Sequence, residues 1–187
     1  MTVLEAIKTR RSIGKMRPDP VPRETLEQML EAAVWAPNHR MTEPWRFYVL
    51  HSDTAKQRFA EIRRRVRAAG LPDSTTPEAQ KALERVYQDT VNTPALIVVT
   101  SHVAADEAQR EEDFAATYMA IQTLMLAATE LGVGTYLRTG AVMHDQDLRD
   151  LLRLEPNRRV LGIVYAGYAD GAPQKRRTPA AERTTWL

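Results

Sequence analysis

Apolar residues at Leu26, Met29, Leu30, Ala33 and Val34 recur with a helical period and predict an amphipathic helix over about 23–35. A proline-rich turn, RPDPVPRET (17–25), leads into it. A shorter helix is predicted over 2–10, with Val3, Leu4 and Ile7 on one side. Another spans 53–69, and its polar side carries RRRVR (63–67). After the loop GLPDSTTPE (70–78), Thr76 is placed to cap a helix that has Pro77 in its first turn and runs to about Thr90. The longest helix is predicted over 106–131. Its second half, FAATYMAIQTLMLAATELG, is apolar nearly all round, so it must be buried on all sides or against another subunit. A last helix is read in HDQDLRDLLRL (144–154). Strands are predicted at 46–52, 94–101, 133–140 and 158–169. The run PALIVVTS is continuously apolar and rich in β-branched residues, as a buried strand requires.

Between the second helix and the first strand lies APNHRMTEPWRF (36–47), a short turn holding a histidine, an asparagine, an arginine and a tryptophan. No repeat or linker divides the 187 residues, so the reading is one α+β domain over 1–170 with a polar tail over 171–187. The tail ends in Trp186-Leu187 and reads either as a frayed end or as an arm laid on a partner. Twenty-six basic and 24 acidic residues leave a net charge of +2, too small an excess to imply a nucleic-acid partner. With no cysteine, disulfides, iron–sulfur clusters, thiolate zinc sites and a cysteine nucleophile are excluded. The first twelve residues read as neither a secretion signal nor an anchor, and no apolar run has the length of a membrane span. A cytoplasmic location and no membrane partner are the expectation.

The charged clusters divide by position. TRRS (9–12) ends the first helix, where cations suit the helix dipole, but two arginines and a hydroxyl also form a clamp for a phosphate. KRR (175–177) follows the last strand and reads as solvated tail or as a second side of that clamp. RRRVR, beside Glu61, reads as a solvated helix face, with no aromatic platform to make it a nucleic-acid surface. LGVGTYLRTG (131–140) runs helix, glycines, strand, the reverse of a dinucleotide fingerprint. Gly132 fits a helix C-cap, and Gly134 fits either a turn or the close approach of a flat ligand. His39, His51, His102 and His144 have no metal-ligand spacing, and no nucleophile elbow or Walker loop is present.

RRS, AP…EPWRF, LGVGTYLRTG and VYAGYA occur in an order that resembles the FMN-dependent nitroreductase family, closest to its small single-domain YdjA-like branch, over essentially the whole chain. The resemblance implies a nitroreductase-like fold, with a mostly antiparallel or mixed central sheet flanked by helices, in an intertwined homodimer. FMN then lies at the subunit interface, NADPH or NADH donates hydride, and a nitroaromatic or quinone-like small molecule is the acceptor. By the same resemblance Arg10, Arg11 and Ser12 hold the FMN phosphate and ribityl chain, and Trp35 and His39 reach the flavin from the other subunit. Leu137, Arg138 and Thr139 run beside the ring, and Lys175 and Arg177 complete the phosphate site from the tail. No residue is expected to act as a catalytic nucleophile, because the flavin carries the chemistry.

The chain departs from the family at two places. Where the family often reads RRSxR, Gly14 stands at the fifth position in place of the last arginine, and Lys15 follows; in the turn, Glu43 replaces glutamine. Reductive dehalogenation or flavin destruction on the same scaffold, a non-enzymatic flavin-binding dimer, and a basic binding protein acting through RRRVR are the competing readings.

Overall fold

The computed structural model describes residues 1–171, 173–174 and 176–187. Helix α1 (Val3–Thr9) is followed by α2 (Arg23–Ala33), strand β1 (Trp45–Leu50) and helices α3 (Asp53–Ala69) and α4 (Pro77–Val91). Strand β2 (Ala95–His102), helix α5 (Glu107–Glu130) and strand β3 (Gly134–Arg138) come next, then α6 (Gln146–Leu152) and β4 (Arg158–Gly167). Short 3-10 turns at His39–Met41, Ala141–His144 and Ala180–Arg183 were not anticipated from periodicity. The predicted helices and strands are otherwise present, with ends shifted by a few residues.

The sheet order is β1-β2-β4-β3, and every neighbouring pair is antiparallel. β2 and β4 are central and almost wholly buried, which explains their continuous apolar runs. Alternation along β2 sends Ile97 and Val99 to one layer and Leu96 and Val98 to the other. The first layer packs on α2 and α5 through Leu26, Met29, Ile121 and Leu124. The second packs on α3 and α6 through Phe59, Ile62, Leu148 and Leu152.

Helix α5 lies on the sheet and is overlaid by α1 and α2. Tyr118 and Met119 stay exposed on it, as do Val3, Leu4 and Ile7 on α1, so part of the predicted all-round burial is missing within one chain. Its end follows the predicted C-cap. Gly132 has φ +74°, and the Val133 N–H donates to the Ala128 carbonyl at 2.8 Å, closing the last turn before β3.

Residues 10–17 run from α1 along the far edge of the sheet. Ser12 bridges in parallel to Thr135, the Ile13 N–H donates to the Thr135 carbonyl at 2.9 Å, and the Arg17 N–H donates to the Tyr168 carbonyl at 2.9 Å. Gly134 permits this contact. A Cβ there would meet the Ile13 side chain at 2.9 Å and the Gly167 carbonyl at 3.1 Å, so the space serves the chain itself rather than a flat ligand. Among the described residues, no helix is long and apolar enough to cross a membrane.

The Thr76 hydroxyl accepts from the Ala79 N–H at 3.2 Å, with Pro77 opening α4. Thr76→Ala should therefore cost about 1 kcal/mol, read as a lower urea midpoint with an unchanged slope.

Candidate functional site

The chain concentrates unpaired positive charge at the junction of α1 with the edge strand β3. Arg11 folds back on α1, its Nη1 donating to the Lys8 carbonyl at 2.6 Å and the Arg10 carbonyl at 2.8 Å. It caps the helix end, the role that its position at a C-terminus favours. Arg10 is half-buried and makes no hydrogen bond or ion pair among the described residues. Its pKa is held below the usual arginine value, first by burial and then by the charges of Arg177 and Arg11. The tail thus brings Arg177 to the RRS segment, where among the described residues it donates to the neighbouring Arg176 carbonyl alone. Ser12 is exposed beside them. Lys175, expected to join this cluster, lies outside the described residues.

At the other end of β3 the side chains part company. Leu137 turns toward α5, its Cδ1 filling the place that a Cβ on Gly162 would occupy 2.6 Å away. Arg138 turns to the opposite face, where its guanidinium lies 4.6 Å from the centre of the Tyr136 ring and 4.8 Å from that of Tyr165. Tyr136 and Tyr165 are cross-strand partners, so the stack is built by register. Thr139 follows, exposed. A cavity of about 250 Å³ opens here between Arg63, Tyr136, Arg138, Thr139, Val142 and Tyr165. A second, of about 210 Å³, is lined by Ile13–Met16 and Asn92 and shares Tyr136, Arg138 and Tyr165 with the first.

Arg63 corrects the reading of RRRVR as a solvated face. Its guanidinium is directed inward, donates to the Thr90 hydroxyl and lies 5.4 Å from the centre of the Tyr165 ring. The neighbours are neutralised locally, Arg64 by Glu61 at 2.7 Å and Arg65 by Asp145 and Asp147 at 2.6 and 2.8 Å. Helical phase was the signal for Arg63: it follows the buried Ile62 and stands four residues after Phe59, on the side of α3 that faces the sheet.

The turn at 36–47 forms a third feature. Arg40, Met41 and Glu43 all have φ between +42° and +57°, a conformation unfavourable for side chains of their size. Hydrogen bonds hold them there. His39 Nδ1 meets the Glu112 carboxylate at 2.7 Å, the Thr42 hydroxyl donates to Asp113 at 2.6 Å, and the Glu43 N–H donates to the Asn38 side chain at 3.0 Å. Pro44 and Trp45 are buried, and the Pro44 carbonyl accepts from the His102 N–H and from Arg158, each at 2.9 Å. Trp35, by contrast, is 80% exposed.

Within one chain the turn and β3 do not meet. β1 and β3 are opposite edges of the sheet, three strand spacings or about 14 Å apart. Trp45 aligns through Ser101 with Arg159, whereas Arg138 aligns with Ile163, a further offset of about 13 Å along the strands. Arg10–Ser12, Arg177 and residues 137–139 lie toward the β3 edge; His39, which leads into β1 and meets Glu112, lies toward the β1 edge, and Trp35 is exposed beyond the end of α2.

The sequence profile of the Nitroreductase family matches residues 7–168. YfhC of Bacillus subtilis (strain 168), provisionally named an NAD(P)H nitroreductase, is 36% identical over 97% of this chain and 92% of its own. The crystal structure of a nitroreductase-like family protein from Bacillus cereus superposes with a TM-score of 0.85 at 30% identity, covering 100% of this chain and 96% of that one. A nitroreductase from Bacteroides fragilis, crystallised with bound FMN, superposes with a TM-score of 0.75 at 27% identity over 100% and 99% of the two chains. With a fold that these relatives share from end to end, the chain belongs to the Nitroreductase family.

Proposed function

We propose that the protein is an FMN-dependent oxidoreductase that takes hydride from NADPH or NADH and reduces nitroaromatic or quinone-like acceptors in two half-reactions. The observation that carries this reading is the convergence of Arg10, Arg11 and Arg177 beside Ser12 with no carboxylate among them. Three guanidiniums without counter-charge repel one another, and a phosphate dianion relieves the repulsion while accepting forked hydrogen bonds. The residues present therefore fit the phosphate end of FMN. Arg10, Arg177 and Ser12 would hold it, with Arg11 adding charge from its capping position.

The planar end fits the second cluster. Leu137, Arg138 and Thr139 border the cavities that continue from Ser12, and Arg138 Nε is buried without a partner. Bound FMN supplies the redox chemistry, receiving hydride and returning two electrons to the acceptor. The chain's part is to bind, orient and stabilise charge. A fixed cation near the ring, Arg138 or an N-terminal arginine, favours the electron-rich state as an oxyanion hole favours its oxyanion.

Trp35 and His39 enter this reading through a homodimer. Neither lines the cavities beside β3, and the exposed apolar side chains of α1, Trp35, Met41 and Trp186 are suited to contact with a second copy. The dimer sets the turn of one subunit against the flavin of the other, with the tail 171–187 extended over the partner. His39 packs on the ring, and Glu112 orients its imidazole.

Three results are expected. The purified protein should show a flavin absorbance band that bleaches anaerobically on addition of NADPH or NADH; a colourless protein that takes up no FMN would sink the reading. Arg10→Ala should weaken FMN binding by about thirtyfold, for a charged hydrogen bond worth about 2 kcal/mol, read by equilibrium dialysis. Light scattering should give twice the 21.2 kDa of one chain, and a monomer that holds FMN fully would refute the shared site.

A further inference from the structure

We propose that Arg63, paired with Arg138 across Tyr165, sets the positive potential at the edge of the bound flavin ring in place of the cation that Gly14 lacks. The inference rests on the FMN reading above and assigns a role to a residue that the motif comparison passed over.

The last cation of the motif is missing from the segment that should carry it. Gly14 has no side chain, and a Cβ built there meets nothing within 4 Å, so the space beside it is open. Lys15 does not fill it. Its ammonium pairs with Asp170, and its side chain is 81% exposed. The cavity that Gly14 lines is instead closed at its inner side by Tyr136, Arg138 and Tyr165, and the cavity beyond those three is lined by Arg63.

Three polar groups there are unsatisfied or crowded by like charge. Arg138 Nε is buried without a partner. Tyr165 is only 4% exposed, and its hydroxyl lies beside Arg63 and Thr90 yet makes no well-formed hydrogen bond to either. Arg63 and Arg138 are close enough to depress the Arg63 pKa, although burial is the larger cause. The nearby acid, Asp89, lines the cavity with Arg138 and Tyr165 and offsets part of the Arg63 charge, but it is exposed and also leans toward Arg85 at 3.8 Å. Two half-buried guanidiniums on one tyrosine ring cost free energy through desolvation and repulsion. An electron-rich oxygen or nitrogen edge entering the cavity would repay it, and the repayment grows with the negative charge on that edge. The pair should therefore bind reduced FMN more tightly than oxidised FMN. Arg138 stands at the rim; Arg63 acts from behind, through Tyr165 and through its charge, as a positioning residue.

The test is the flavin midpoint potential, measured by anaerobic dye titration of the FMN-loaded protein. Arg63→Gln should weaken reduced FMN relative to oxidised FMN about tenfold, a potential about 30 mV more negative for a two-electron couple. Arg63→Lys, which keeps the charge, should recover most of that difference. An Arg63→Gln protein with full flavin and unchanged potential overturns the inference and leaves the FMN reading intact. Equal shifts in the Lys and Gln variants overturn it too, since shape and not charge would then be responsible. Should Arg63→Gln fail to fold, Arg63→Met takes its place. It removes the charge and keeps a long flexible side chain, while the Thr90 hydroxyl keeps its bond to the Val86 carbonyl. Its potential should move in the same direction; no movement overturns the inference. A wild-type protein that binds no FMN would overturn both proposals together.

Discussion

The packing of α5 against the sheet is the interaction on which the other parts depend. Ile121, Leu124 and Ala128 are buried in the middle and last turns of the helix, against Ile97, Val99 and Val164. The same 24 residues also carry the features at either end. Near the N-terminus, Glu112 and Asp113 hold the 36–47 turn. At the C-terminus, Gly132 reverses the chain into β3, and β3 in turn receives residues 12 and 13. A side chain lost from the centre of this helix would remove buried contacts worth a few kcal/mol and would loosen both ends together.

The electrostatic pattern has its own logic. Some of the chain's charges pair locally, as Arg23 does with Glu27 and Arg65 with Asp145 and Asp147. Arg10 and Arg138 make no ion pair among the described residues. Both are half-buried, and each stands near another guanidinium, Arg177 in the first case and Arg63 in the second. Desolvated cations placed together lower stability unless a counter-charge arrives. Guanidiniums gathered at one edge of the sheet are suited to an anionic ligand. In the proposed function, FMN would bring a dianionic end to the first cluster and a polarisable ring to the second.

How far the sequence could be read depended on whether a residue's role is local. Thr76, Pro77 and Gly132 act within one turn of their own positions, and their functions were legible from spacing. So were β2 and β4, whose apolar runs report burial on both faces. The RRS and LGVGTYLRTG segments were recognisable as a set, but their meeting depends on the parallel bridge between Ser12 and Thr135, a pairing 123 residues apart that no local pattern encodes. Gly134 misled for the same reason. Its open flank admits Ile13, a neighbour supplied by the fold, where the sequence offered a ligand as an equal choice. Arg63 was hidden inside a run of four arginines, because composition weighs them alike whereas α3 turns only this one toward the sheet. The left-handed backbone of Arg40, Met41 and Glu43 was invisible, since none is glycine or asparagine.

That backbone is costly. Each left-handed residue of this kind costs on the order of 1–2 kcal/mol, and three in four positions is a substantial charge against a marginally stable domain. The bonds to Glu112, Asp113 and Asn38 hold the conformation but do not explain why it is retained; a turn free of strain could join α2 to β1 with the same anchors. What the conformation achieves is presentation. Trp35 and Met41 point outward from a rigid base, while Pro44 and Trp45 are sealed by His102 and Arg158. An apolar projection held rigid at the opposite edge from its own chain's cavity gains nothing for an isolated subunit. In the proposed dimer it closes the partner's flavin site, and the strain is offset by contacts made only when two chains and a cofactor assemble.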